Sequence, residues 1–399
     1  MATYLFANFG ANVRAEMEDG CLGKSAAEVA QMGEENMQRR DFLRTTLAGA
    51  GAIALSDALP GIANAGAGQC FTPWDKGTET FAWKMKKGPY KIALSNSYIG
   101  NMWRTEMIQI AKAYTEEPAV KRDIKQFMVS SAGNDVSAQI AQMNQMILAG
   151  VDAIVLDAAS PTGLNSVIDQ AVAAGILVVS FDNVVTTKKA VGVNQNQFEM
   201  GQKWAEWLVR KTGDKGNILV VRGVAGTFVD QERMKGGESV FKKYPGIKTT
   251  EVYGKWDDGT AQKVVANALA SGTKFDAVWS EGGDTGVVRA FQQAGLKMPP
   301  IAGEAENGFR TLAAKDKFPV LSIGQTPALG ALGIKVAVAI LKGEKLPQSI
   351  STPLPTATNA TLKQGVNYFP NLPDSFFTPI SIGACGLNFK ADKILKIKV

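Results

Sequence analysis

Along residues 91–341, short apolar runs rich in Val and Ile alternate with longer segments in which apolar residues recur every three or four positions. The short runs predict strands over 91–97, 126–132, 153–158, 177–182, 217–222, 249–254, 277–280, 300–303 and 320–325. The longer segments predict amphipathic helices over 102–114, 136–148, 164–174, 200–211, 231–243, 261–270, 287–294 and 329–341. A strand apolar on both faces must be covered on both sides, so the alternation predicts an α/β fold with parallel sheets. Nine strands spread over about 240 residues suit two doubly wound parallel-sheet lobes better than one sheet.

Composition narrows the function. The chain of 399 residues is 45% hydrophobic, enough for one large or two medium cores. Its formal charge of +6 comes from dispersed Lys and Arg rather than a basic block, so no nucleic acid partner is expected. There is no histidine, which removes Ser-His-Asp and Cys-His catalysis and the usual His-bearing metal sites. No turn after a strand carries a dinucleotide or P-loop glycine pattern; Gly223 and Gly226 read as a tight turn. No cofactor and no metal are expected.

Ligands of such sheets bind at the carboxyl ends of the strands. Those ends hold polar and flat aromatic residues: Asn101, Trp103 and Arg104 after the first strand, Asp157 after the third, Asp182 and Asn183 after the fourth. In the second half they hold Trp256 and Asp257, then residues 281–284, 304–307 and Gln325. Carboxylates and amides exchange hydrogen bonds with hydroxyls, and aromatic faces cover the C–H face of a sugar ring. A lone Trp is more often core and a lone strand-end Asp as often a helix cap, so the case rests on recurrence.

The N-terminal 65 residues read as an address. Arg39-Arg40-Asp41-Phe42-Leu43 is followed by a short apolar run and by Ala63-Asn64-Ala65, and this order resembles a twin-arginine signal peptide cleaved near Ala65. Export to the periplasm follows, with translation beginning at Met1 or at Met37. No later stretch reaches the roughly 18 apolar residues of a membrane span. Cys21 falls in the leader; Cys70 and Cys385 remain, either as a disulfide or as two buried thiols.

At the strand ends the chain resembles the ribose- and galactose-binding family of type 1 periplasmic binding proteins, over residues 91–355. The resemblance implies two lobes joined by a hinge: 91–196 with 328–355, and 197–327. A 66–90 extension precedes them and a 356–399 extension, expected to pack with 66–90, follows. It implies ligand contacts from Asn101, Trp103, Arg104, Asp157, Asp182, Asn183 and Asn196 in the first half. From the second half it implies Arg233, Trp256, Gly282 (within 281–283, where the family has an asparagine), Glu304 and Gln325, with Trp103 and Trp256 sandwiching the ring. Arg104 stands where ribose binders have a second aromatic, and Glu304-Ala305 where they have an aspartate. The function implied is a monomeric, non-enzymatic receptor delivering a sugar or polyol to the membrane permease of an ABC-type importer. A sensor module is the alternative, and further off an exported enzyme using Asp157 and Asp182 as acid and base. Arg104 and Arg233 leave a sugar acid open as the solute.

Overall fold

The structure, a computed structural model, describes residues 70–399. The leader, the twin-arginine pair, Cys21 and the cleavage site at Ala65 lie outside the described residues. In chain order the elements are β1 (Thr72–Pro73), β2 (Thr80–Phe81), β3 (Tyr90–Asn96), α1 (Met102–Thr115), α2 (Pro118–Lys121), β4 (Ile124–Ser131), α3 (Val136–Leu148), β5 (Ala153–Asp157), α4 (Asn165–Ala173), β6 (Leu177–Phe181) and β7 (Val191–Gln195). They continue with α5 (Gln197–Thr212), β8 (Lys215–Arg222), α6 (Phe228–Phe241), β9 (Gly246–Tyr253), α7 (Asp258–Ala270), β10 (Ala277–Ser280), α8 (Asp284–Gln293), β11 (Ile301–Gly303), α9 (Asn307–Asp316) and β12 (Val320–Ile323). Last come α10 (Leu329–Leu341), β13 (Leu346–Pro347), β14 (Ser349–Thr352), β15 (Thr356–Thr358) and α11 (Ala391–Ile394).

One sheet runs β1-β14-β7-β6-β5-β3-β4 and the other β15-β12-β11-β10-β8-β9. Within each the strands are parallel except at one edge, where β1 and β15 pair antiparallel. Every residue of β5, β6, β10, β11 and β12 is buried, and alternate residues serve separate cores on the two faces of each sheet. These are the two α/β lobes that the alternation of strands and helices predicts.

Several helices begin about three residues before the predicted start: α5, α7 and α8 each open with a largely polar turn, whereas α6 opens on Phe228 and Val229. The reason is capping. Asn196 and Asp257 accept backbone N–H groups of that turn, from Glu199 (2.9 Å) and Thr260 (2.8 Å), and capping selects polar residues where packing would select apolar ones. Helix α9 and the short strands β1, β2, β7 and β13–β15 are additions to the sequence reading.

Three crossovers join the lobes: β7 to α5, β12 to α10, and β14 to β15. The Gln195 side chain ties all three together. Its Nε2 donates to Gly324 O (3.1 Å) and Pro353 O (2.6 Å), and its Oε1 accepts from Thr326 N (2.8 Å). The N-terminal strands do not pair with the C-terminal segment; β1 pairs β14 and β2 pairs β13. A disulfide from Cys70 to Cys385, with Cα atoms 4.5 Å apart, links the two segments, and Phe71, Phe81 and Trp83 pack on the core that holds Phe376, Ile380 and Leu387. Among the described residues no helix is long and apolar enough to cross a membrane.

Candidate ligand-binding cleft

The first-lobe wall is organised by one helix start. Asn101 caps α1, its Oδ1 accepting Arg104 N at 3.0 Å, and the turn so fixed carries Trp103 and Arg104 into the cleft. Arg104 is buried between the Tyr98 and Trp103 rings, 5.1 and 5.2 Å from their centroids. Its Nη1 meets the Asp157 carboxylate at the end of β5 and donates to Asn96 Oδ1 (3.2 Å), while Nη2 meets Asp182 Oδ2 (3.0 Å). Asp182 follows β6 with φ of 56°, a conformation rarely adopted by non-glycine residues. Burial pushes its carboxyl up, and Arg104 and then Arg233 pull it back.

The second-lobe wall centres on Arg233 in the middle of α6. Its Nε donates to Gln197 Oε1 (2.8 Å), Nη1 to Glu281 O (2.9 Å) and Nη2 to Glu304 Oε1 (2.5 Å) and to Gln325 Oε1. Close packing of α6 on α5 makes this possible: a Cβ at Gly236 would meet Phe198 O at 2.0 Å, and one at Gly201 would meet Arg233 O at 2.0 Å. Trp256 also has a left-handed backbone, φ 57°, and its indole lies over Gly223, where a Cβ would fall 2.0 Å from the ring. Gly223 is therefore a seat for Trp256 as well as part of a turn.

Glu281, directly after β10, is fully buried beside Trp256. Neither carboxyl oxygen, nor Trp256 Nε1, makes a hydrogen bond of good geometry among the described residues. Burial first, and then Asp230, hold the Glu281 carboxyl well above the usual range. Glu304 is steadied from behind by Asp284, whose Oδ2 accepts Glu304 N at 2.6 Å and whose own carboxyl burial pushes up to about 8.

Between the walls lies a cleft enclosing about 340 Å³ including its mouth. Its lining comes from Asn101, Trp103, Arg104 and Asp182 on the first lobe, and from Val229, Arg233, Trp256, Glu281, Gly282 and Glu304 on the second; Gln325 and Phe377 complete it. The lobes touch across it. Gln325 Nε2 donates to Asp182 Oδ1, Trp103 Nε1 to Gln325 O (3.0 Å), and Val229 N to Asn183 Oδ1 (3.0 Å). A continuous polar chain thus runs Arg104, Asp182, Gln325, Arg233, Glu304, with both guanidinium charges compensated by carboxylates.

Nine residues expected at the site, Asn101, Trp103, Arg104, Asp182, Arg233, Trp256, Gly282, Glu304 and Gln325, meet here. Three do not. Asp157 stands behind Arg104 as its counter-charge, and Asn183 is held by Asp157, Asp182 and Val229, so neither lines the cleft. Asn196 is a helix cap whose Oδ1 is spent on Glu199 N. Three further residues line the cleft: Glu281, which falls within the strand-end run 281–284 although Gly282 is the residue singled out there, and Val229 and Phe377, which no sequence signal marks. The signal for Glu281 was its place directly after a strand.

Chemically, this is a receptor's equipment: acceptors, guanidinium and amide donors, and aromatic faces around a small volume. The carboxylate pair that an acid–base reading would need, Asp157 and Asp182, converges on the Arg104 guanidinium.

Comparison with known proteins agrees with this layout. The profile of a family described as the periplasmic binding protein domain matches residues 92–345. A xylitol-binding protein of Mycolicibacterium smegmatis is 30% identical over 222 residues, 54% of this chain and 63% of that protein, so the chain spans less than two thirds of that relative. A ribose import binding protein of Bacillus subtilis is 26% identical over 276 residues, 68% of this chain and 88% of the relative. Among solved structures, an ABC transporter solute binding protein from Thermobispora bispora superposes with a TM-score of 0.64 at 31% identity, covering 66% of this chain and 84% of its own.

Proposed function

Because the chain belongs to the periplasmic binding protein domain family, we propose that it is an exported solute receptor that closes its two lobes on one neutral sugar or polyol and presents the closed form to the permease of an ABC-type importer. The observation that carries the neutral ligand is that both cleft guanidiniums are already met by carboxylates, Arg104 by Asp157 and Asp182, and Arg233 by Glu304. No guanidinium is left over for a ligand carboxylate, so a sugar acid would bring an uncompensated charge into a buried site. Relatives named for xylitol and ribose support a hydroxylated solute.

The closed lobes are held by few direct contacts, Gln325 with Asp182 and Trp103, and Val229 with Asn183. A ligand that bridges Arg104 and Asp182 to Arg233, Glu281 and Trp256 binds the closed state better than the open one, and this difference drives closure. The Gln195 tie lets the three crossovers bend as one hinge. In this reading the leader resembling a twin-arginine signal directs export, cleavage falls near Ala65, and the mature protein acts as a monomer.

The test is a thermal-shift screen of the chain from Gly66 against sugars, polyols and sugar acids. Ligand at 100 times its dissociation constant stabilises the native state by about 2.7 kcal/mol, a readily measured shift. A shift with a neutral polyhydroxylated compound and none with its acid supports the proposal; a shift with acids alone refutes the charge argument.

A further inference from the structure

The family match ends at residue 345, yet one wall of the cleft comes from beyond it. We propose that residues 374–385 form a strap fastened to both lobes, a fourth connection between them, and that the Phe377 ring it carries is a specificity-determining wall of the cleft. The ligand-contact half of this proposal rests on the receptor reading above; the strap half does not.

The fastening to the second lobe is by α9. Asn307 Nδ2 donates to Phe369 O (2.9 Å), Leu372 O (3.1 Å) and Pro373 O (3.2 Å), and Arg310 Nη1 donates to Thr378 Oγ1 (2.7 Å). The strap's backbone then bridges Glu306, with Asn307 N donating to Phe376 O (2.7 Å) and Thr378 N to Ala305 O (3.1 Å). Between those two bonds the backbone turns the other way. Phe377 N donates to Glu106 Oε1 of α1, in the first lobe, at 3.0 Å.

Glu106 is fully buried, and its second oxygen has no partner among the described residues. Such an acid is costly to keep unless it does something, and what it does here is accept the strap. Eight residues further on, Cys385 closes the first-lobe fastening through Cys70. The strap's apolar side chains, Phe376, Phe377, Ile380 and Ile382, all belong to the first-lobe core, so its fastening to the second lobe is by hydrogen bonds. Hinge opening separates α1 from α9, so a strap bonded to both resists it. Phe377, held between the two anchors and only 6% exposed, must meet any ligand that fills the cleft beside Asn101 and Trp256.

The first experiment compares dissociation constants of pentose-sized and hexose-sized neutral sugars and polyols for the wild type and Phe377→Ala. The expected result is a loss of about tenfold or more for the preferred ligand, as for a buried aromatic contact, with the ratio between sizes shifted toward the larger. Unchanged constants for a folded variant would overturn the wall.

The second needs no ligand. Small-angle scattering of the ligand-free protein should give a larger radius of gyration for the Cys70→Ser/Cys385→Ser double variant than for the wild type, and an identical radius would overturn the strap. Should that variant not fold, Glu106→Ala, which removes only the acceptor on α1, carries the same measurement with the same two outcomes. A wild type that binds no polyhydroxylated compound would sink the receptor reading while leaving this second arm intact.

Discussion

The two walls of the cleft handle polar groups in opposite ways. On the first lobe, Arg104 is shared among Asn96, Asp157 and Asp182, and Asn183 braces both acids, so the cluster is complete without a ligand. On the second, Arg233 is equally occupied, but Glu281 and Trp256, which both line the cleft, have only each other within reach and no hydrogen bond of good geometry. Buried polar groups left unmet are costly, and a ligand that meets them is bound more tightly. The first wall should therefore be built for stability and position, the second for recognition.

The sharpest way to break that contrast is Arg104→Ala, which leaves Asp157 and Asp182 buried without a counter-charge. Removing one partner of a buried pair costs about 3–5 kcal/mol, so urea unfolding of the ligand-free protein should show a loss of that order. A loss confined to binding would place Arg104 with the recognition residues instead.

Next comes a pH dependence from buried acids on both lobes, Glu106 on the first and Asp284, Glu281 and Glu306 on the second. The Asp284 carboxyl is raised to about 8 in the folded protein, against an unfolded value of about 4, and burial is the main cause. The folded state binds the extra proton, so this contribution is full below about pH 4 and is lost as pH rises toward 8; Glu281 and Glu306, also raised, act in the same direction. Melting temperature should be higher at pH 5 than at pH 8.5, with a slope of at most about 1.4 kcal/mol per pH unit for each proton. Asp284→Asn should flatten it. A melting temperature that rises from pH 5 to 8.5 would contradict the protonated acids.

Trp256→Ala should cost about 1–3 kcal/mol of affinity, measured by titration, while moving ligand-free stability less than Arg104→Ala does. The smallest effect marks the boundary of the site. Asn196→Ala should cost about 1 kcal/mol of stability through the lost cap and leave ligand affinity unchanged.

The same contrast governs what could be read from the chain. Strands β3, β5, β6 and β10 and the stretch 218–221 of β8 are apolar runs buried on both sides, helix α3 follows the helical period, and α10 is buried at every position but Lys335, so burial itself wrote the pattern. Most first-lobe site residues follow such strands directly and were legible for that reason. Strand β7 was not: it ends in Asn194 and Gln195, whose amides serve the hinge rather than a core. Helix α9 opens on Glu306 and Asn307, which are spent on Gly283, Thr285 and the C-terminal segment. Phe377 was invisible because its partners are more than 70 residues away in sequence, on α1 and α9, and no local period announces such a contact. Asn196 erred the other way, since a polar residue at a lobe junction reads alike as a cap and as a contact.

The most direct test of the account is calorimetric titration of the mature chain with the neutral sugar or polyol that gives the largest thermal shift, beside its sugar acid. The expected result is one-to-one saturable binding of the neutral compound, its unchanged recovery from the complex, and no binding of the acid. Tight binding of the acid, or conversion of the bound compound, would contradict a charge-balanced receptor cleft.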